Sequence, residues 1–146
     1  MTVETMKNSV ISVFNCNSTF FNDYDDSNDT TLVFKASGDN LDDINIYTSF
    51  REMDNGAILV SMGCYDLPNF SKQLAVGYAT CNKLNDDELV KYYIDDDGDA
   101  VAQRTLIFNG YGVSSTFSPE QVLISATMMA LSVDDAYAVL ERAKWA

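Results

Sequence analysis

The sequence predicts an α+β domain, an antiparallel sheet in the order α-βββ-α-ββ-α with its helices packed on it. Two observations carry this: strict apolar alternation on both sides of a turn signal in mid-chain, and apolar spacings of three and four residues near both ends. A third narrows it. No βαβ alternation and no Gly-rich strand-to-helix turn occurs, so a doubly wound nucleotide-binding sheet is not expected. The chain has 146 residues, 47% of them hydrophobic. Chains start to divide into domains only above about 250 residues, so 1–146 is expected to form a single domain with one core.

Met6, Val10, Val13 and Phe14 fall on one helical face and predict a first helix ending near Asn15. Ser18 to Tyr24 is expected to form a short strand, and Asp25 to Thr30 a loop leading into Leu32, Val33 and Phe34. Ile44, Ile46, Thr48 and Phe50 alternate with more polar neighbours, as do Ile58, Val60, Met62 and Cys64. Asp54-Asn55-Gly56 between the two runs supplies residues that tolerate positive φ, so the pair reads as a hairpin. After Pro68, the spacing of Phe70, Leu74, Tyr78 and Cys81 predicts a helix whose apolar face lies on the sheet, closed by Asn82 to Asp87.

A second hairpin is expected from Glu88 to Ile94 and from Ala100 to Phe108, turning at Asp97-Gly98. Its first strand is apolar on both faces. Val90, Tyr92 and Ile94 share one side, while Leu89 and Tyr93 flank Lys91 on the other, so one set is expected to cover the core and the other to meet a partner. Sequence alone does not say which. Ser118-Pro119-Glu120-Gln121 reads as a helix start, with a serine cap and proline in the first turn. Val122, Leu123, Ala126, Met129, Ala130 and Val133 give that helix its apolar face, continued by Tyr137 and Leu140, with a break or new cap expected at Ser132 to Asp135. Arg142 and Lys144 suit the negative end of its dipole.

Composition narrows the function more by exclusion than by motif. The chain has no histidine, which removes the commonest general base and the imidazole metal ligand together. Cys16, Cys64 and Cys81 form no C-x-x-C pair and fit reduced, buried or inert thiols in a cytoplasmic protein. A net charge of −13 opposes direct binding to nucleic acid or to an anionic membrane. Apolar runs such as Ala57 to Val60 are far shorter than the roughly 18 residues of a membrane span. No leader is evident, so a cytoplasmic location is expected. Most acids sit in clusters (Asp23 to Asp29, Asp39 to Asp43, Asp86-Asp87, Asp95 to Asp99) that read as turns and solvated loops.

The acidic turn invites a calcium reading, but an EF-hand frame with Gly98 sixth would need an oxygen ligand at Tyr93 and a glutamate at Arg104. The frame fails at both ends. Asn22 to Asn28 is rich in oxygen ligands yet lacks the glycine and the closing glutamate. Glu52 and Asp54 could form an acid/base pair, though an exposed turn is the simpler reading. No metal, cofactor or catalytic residue is therefore expected. Phe14, Phe20 and Phe21 remain candidate partner-binding apolar residues.

Several stretches together resemble the YbjN-like bacterial proteins over roughly residues 32 to 146. They are the hairpin Ile44 to Tyr65 with Pro68; the helix end Cys81-Asn82-Lys83-Leu84-Asn85; Tyr92-Tyr93-Ile94; Asp95-Asp96-Asp97-Gly98-Asp99; and the Ser118-Pro119-Glu120 helix with Asp134-Asp135-Ala136-Tyr137. The resemblance implies a fold similar to the type III secretion chaperones, small, acidic, usually homodimeric cytoplasmic proteins that hold extended segments of client proteins. It brings no catalytic residues. The expected function is thus a non-enzymatic protein-binding module, chaperone-like or regulatory in a stress or sensory setting, and homodimeric through Leu89, Val90, Tyr92, Tyr93 and Ile94. The alternatives are an acidic nucleic-acid mimic that inhibits a DNA-binding protein, predicting carboxylates ordered in one row, and an enzyme, predicting a deep pocket with perturbed acids.

Overall fold

Thr2 caps the first helix, its hydroxyl accepting from the Thr5 N–H at 3.1 Å, and the helix α1 then runs Val3–Cys16 with Met6 and Val10 wholly buried. The computed structural model describes residues 2–16, 20–86, 89–109 and 116–146. Along this chain follow β1 (Asp23–Asp25), β2 (Thr31–Ala36), β3 (Ile44–Glu52), β4 (Ile58–Cys64), α2 (Leu74–Leu84), β5 (Lys91–Ile94), β6 (Ala100–Phe108) and α3 (Pro119–Lys144). The six strands form one antiparallel sheet in the order β1-β2-β3-β4-β6-β5. The α+β class and the helix–strands–helix–hairpin–helix order are those the sequence predicts, with a short β1 added to the meander.

The sheet has one covered face and one open face, as alternation requires. Leu32, Phe34, Ile46, Phe50, Val60 and Met62 point into the core, where they meet Val122, Ala126, Met129 and Val133 of α3. The alternate positions form the open face, where Tyr47, Lys91, Tyr93 and Ile107 are exposed, Val33 and Ser49 half-buried, and Gly63 and Val101 buried. This settles β5: Val90 and Tyr92 are buried and Ile94 packs against the core, while Leu89 and Tyr93 face outward. The hairpin turn needs positive φ only at Gly56 (φ 85°), which closes a three-residue loop in which the Gly56 N–H donates to the Met53 carbonyl at 2.9 Å.

Five expectations are corrected. The strand foreseen from Ser18 to Tyr24 is only Asp23–Asp25; Phe20 and Phe21 precede it, and residues 17–19 lie outside the described ones. β5 starts at Lys91 rather than Glu88, which also lies outside the described residues. α2 begins at Leu74, not near Phe70, because the segment before it is held extended: Asn69 bridges to Asp99, the Phe70 N–H donates to the Gly98 carbonyl at 2.7 Å, and the Ala100 N–H to the Pro68 carbonyl at 3.0 Å. Its buried face also differs. Gly77, Thr80 and Cys81 face inward while Leu74 and Tyr78 are exposed, because the helix approaches so closely that a Cβ on Gly77 would lie 2.8 Å from that of Phe70.

Finally, α3 shows no break at Ser132 to Asp135. Asp134 is buried there, and its carboxylate accepts the backbone N–H groups of Asp39 (3.0 Å), Asn40 (2.9 Å) and Leu41 (2.9 Å) from the β2–β3 loop. An acid that looked like a helix terminator is a tie between elements. α3 is also long and apolar enough, by composition, to cross a membrane, although half of its most apolar window is buried in this fold, as in a core helix. At its start the Ser118 hydroxyl accepts from the Gln121 N–H at 3.2 Å and donates to the Glu120 carboxylate at 3.3 Å.

Candidate functional site

Two of the exposed apolar surfaces have a shape that a partner could fit, and the outer side of α2, with Leu74, Val76 and Tyr78, is exposed as well. The first is a groove between α1 and α3 of about 400 Å³, lined by Val13, Phe20, Leu123, Ile124, Thr127 and Met128, with Glu120 at its rim. α3 makes it because the helix is apolar on more than one side: its inner face fills the core, while Ile124, Met128 and Leu131 stand exposed at spacings of four and three. The aromatic residues foreseen for partner binding divide here. Phe20 lines the groove, whereas Phe21 is buried against Phe34 (ring centroids 5.1 Å) and Phe14 stacks on the same ring at 6.0 Å. Phe14 and Phe21 thus support the wall from the core.

The second surface is the open face of the sheet. Tyr47 and Tyr65 meet edge to face with centroids 5.6 Å apart, and the Tyr65 ring lies over Gly63, whose missing side chain leaves it room. Tyr93, paired with Val101 of β6 beside the end of β4, brings a third ring to the same face, and burial first, then the neighbouring Tyr93, pushes the Tyr65 hydroxyl pKa upward. Leu89 and Tyr93, 41% and 42% exposed, lie on the β5 side of this patch. Val90 and Tyr92, in contrast, are core residues; the Tyr92 hydroxyl lies 2.6 Å from that of Ser132.

The polar groups that drew attention in the sequence are mostly occupied within the fold. Asn85 holds both backbone groups of Tyr92, its amide donating to the carbonyl at 2.8 Å and its oxygen accepting the N–H at 2.6 Å. The carboxylate oxygens of Asp95, Asp97 and Asp99 lie within 4.8 Å of one another. Asp95 already accepts the N–H groups of Asp97 (3.0 Å) and Asp99 (2.9 Å), and Asp99 accepts from Asn69 at 2.8 Å. A cation would compete with these donors. The melting temperature is expected to move by less than about 1 °C with chelator or millimolar calcium, checked by a thermal melt; a rise of several degrees at low micromolar calcium, lost in the Asp95→Asn, Asp97→Asn double variant, would overturn this.

Two of the three thiols are held in the protonated form. Burial pushes the Cys64 thiol up to about 12, and burial raises Cys81 as well, so both stay protonated; Cys16 is exposed rather than buried. Glu52 and Asp54 are exposed at the β3–β4 turn. The acid clusters separate to the two ends of the sheet. Asp39 to Asp43 and Asp95 to Asp99 lie where β2 ends and β6 begins, whereas Asp26, Asp29 and Asp54 lie at the opposite end. Among the described residues, these clusters form no single row. No protein-family model matches the chain, and no curated protein matches it.

Proposed function

We propose that this chain is a non-enzymatic, cytoplasmic protein-binding module of the YbjN-like, chaperone-like kind, which holds an apolar segment of a client protein in the groove between α1 and α3. The observation that carries the reading is the groove with its exposed Ile124 and Met128, continued along α3 by the exposed Leu131, which offers apolar side chains at the spacing an amphipathic helix presents. A net charge of −13, with Glu120 at the rim, favours a client segment flanked by basic residues. No metal or cofactor takes part. The division of the described loop acids between the two ends of the sheet favours this reading over a nucleic-acid mimic, which needs them in one row.

The test is selection of binding peptides from a displayed library, followed by titration against variants. Selected peptides are expected to carry apolar residues at i, i+3 or i+4, and i+7 with basic flanks. Ile124→Glu plus Met128→Glu, both on exposed positions, should weaken them by about 100-fold, as expected for central interface anchors, while leaving the fold intact. Peptides that bind the folded double variant as well as the unaltered chain would sink the groove as the site.

A further inference from the structure

We propose that two copies of this chain pack through the open faces of their sheets, about a two-fold axis parallel to the strands, so that Asp25 of each copy meets Lys91 of the other. This goes beyond the groove reading and uses the opposite side of the molecule. The argument starts from charge. In a chain of net charge −13, the outward positions of β2 to β6 carry Lys35, Arg51 and Lys91 and no acid, and the acids on this face, Asp23 and Asp25, lie on the edge strand β1. The face is where two such acidic molecules can approach with least repulsion.

Register then selects the orientation. Asp25, Val33, Tyr47, Gly63, Gln103 and Lys91 are successive cross-strand partners, so the acid and the lysine occupy opposite ends of one row across the sheet. Two twisted sheets of the same hand can stack about a two-fold axis that runs either along the strands or across them. An axis across the strands lays β1 on β1 and β5 on β5, which sets Asp25 near Asp25 and Lys91 near Lys91. An axis along the strands lays β1 over β5 and gives two Asp25–Lys91 pairs. Opposite charges across an interface fix the register, and like charges exclude the other arrangement.

The area is sufficient. Six strands spaced about 4.8 Å apart and about seven residues long offer roughly 600 Å² of face per copy, so two copies bury roughly 1,200 Å², the lower bound of a standard interface. Its centre is the tyrosine patch of Tyr47, Tyr65 and Tyr93, a residue type enriched among interface anchors. Leu89 and Tyr93 then lie in the interface, while Val90 and Tyr92 support them from the core. The α1–α3 groove stays open on the outer side of each copy.

Sedimentation equilibrium of the full chain from 1 to 100 μM is the test. The unaltered chain is expected to be a dimer at about 10 μM, and Lys91→Glu and Asp25→Lys should each raise the dimer dissociation constant by 10-fold or more, with circular dichroism unchanged. Mixing the two variants should restore dimers, because such a heterodimer holds one native pair and one reversed pair. Tyr65→Asp should give a folded monomer. A monomeric chain at 100 μM, a dimer indifferent to both charge reversals, or folded variants that fail to rescue each other would overturn the proposal. So would a monomer whose sheet face instead retains an acidic peptide or a single-stranded oligonucleotide. Peptide binding in the groove is measured separately and is expected in monomeric variants too, so failure of either reading leaves the other standing.

Discussion

Asp134→Ala is expected to lower the stability of the fold by about 3–4 kcal/mol, because hydrogen bonds to an ionised, buried acceptor are worth more than neutral ones and three backbone donors lose it at once. In a domain of this size that corresponds to a fall of about 10 °C in melting temperature. The loop donors are those of Asp39, Asn40 and Leu41, and the Asn40 side chain adds a bond to the Asp134 carbonyl at 3.3 Å. Asp134→Asn should fall between, since an amide offers one acceptor oxygen where the carboxylate uses both. Gly38 gives a second view of the same tie. A Cβ there would lie 2.1 Å from the Asp134 Oδ1, so Gly38→Ala should be severe in the native background and much milder with Asp134→Ala already in place.

The same contact sets a pH dependence. Burial acts to raise the Asp134 pKa, but the N–H groups of Leu41, Asn40 and Asp39 outweigh it and hold the carboxyl below its usual 3.8. Because the folded value is the lower one, the contribution is fully present above the unfolded pKa and is lost as pH falls through the folded one. Denaturant melts should therefore show the gap between the native chain and Asp134→Asn narrowing below about pH 4 and constant from about pH 5 to 7. A gap that widens on acidification would contradict the assignment.

The features legible in the sequence were those decided locally. The β3–β4 hairpin, the Ala100–Phe108 strand, the Ser118 cap and the class of fold follow from alternation, turn glycines and capping chemistry. What required distant partners was not legible. Asp134 meets a loop more than 90 residues away, and a polar residue in mid-helix with no visible partner reads as a break. The face of α2 was misread because periodicity weighs apolarity, whereas the closest approach at Gly77 selects small residues and leaves Leu74 and Tyr78 outside. The groove was half legible. Phe20 was singled out, but Ile124, Met128 and Leu131 were passed over in favour of the inner face, although a helix apolar on more than one side was itself the signal.

Gly98→Ala should cost about 3–4 kcal/mol where Gly56→Ala costs only about 1–2, although the two glycines have the same backbone φ. Each has φ 85°, a left-handed value that an L side chain adopts at a penalty of about 1–2 kcal/mol. Around Gly56 nothing lies within 4 Å of an added Cβ, so the substitution carries that penalty alone. At Gly98 the added Cβ would lie 2.7 Å from the backbone N and Cα of Ser71, and backbone cannot swing away as a side-chain end can. The turn would have to lift from the segment before α2, straining the bonds from the Phe70 N–H to the Gly98 carbonyl and from the Asn69 amide to Asp97 and Asp99. The comparison thus separates local strain from the docking of the acidic turn. Denaturant titration of both variants reads it directly: equal losses at the two positions would mean that the turn is not held against residues 69–71 in solution.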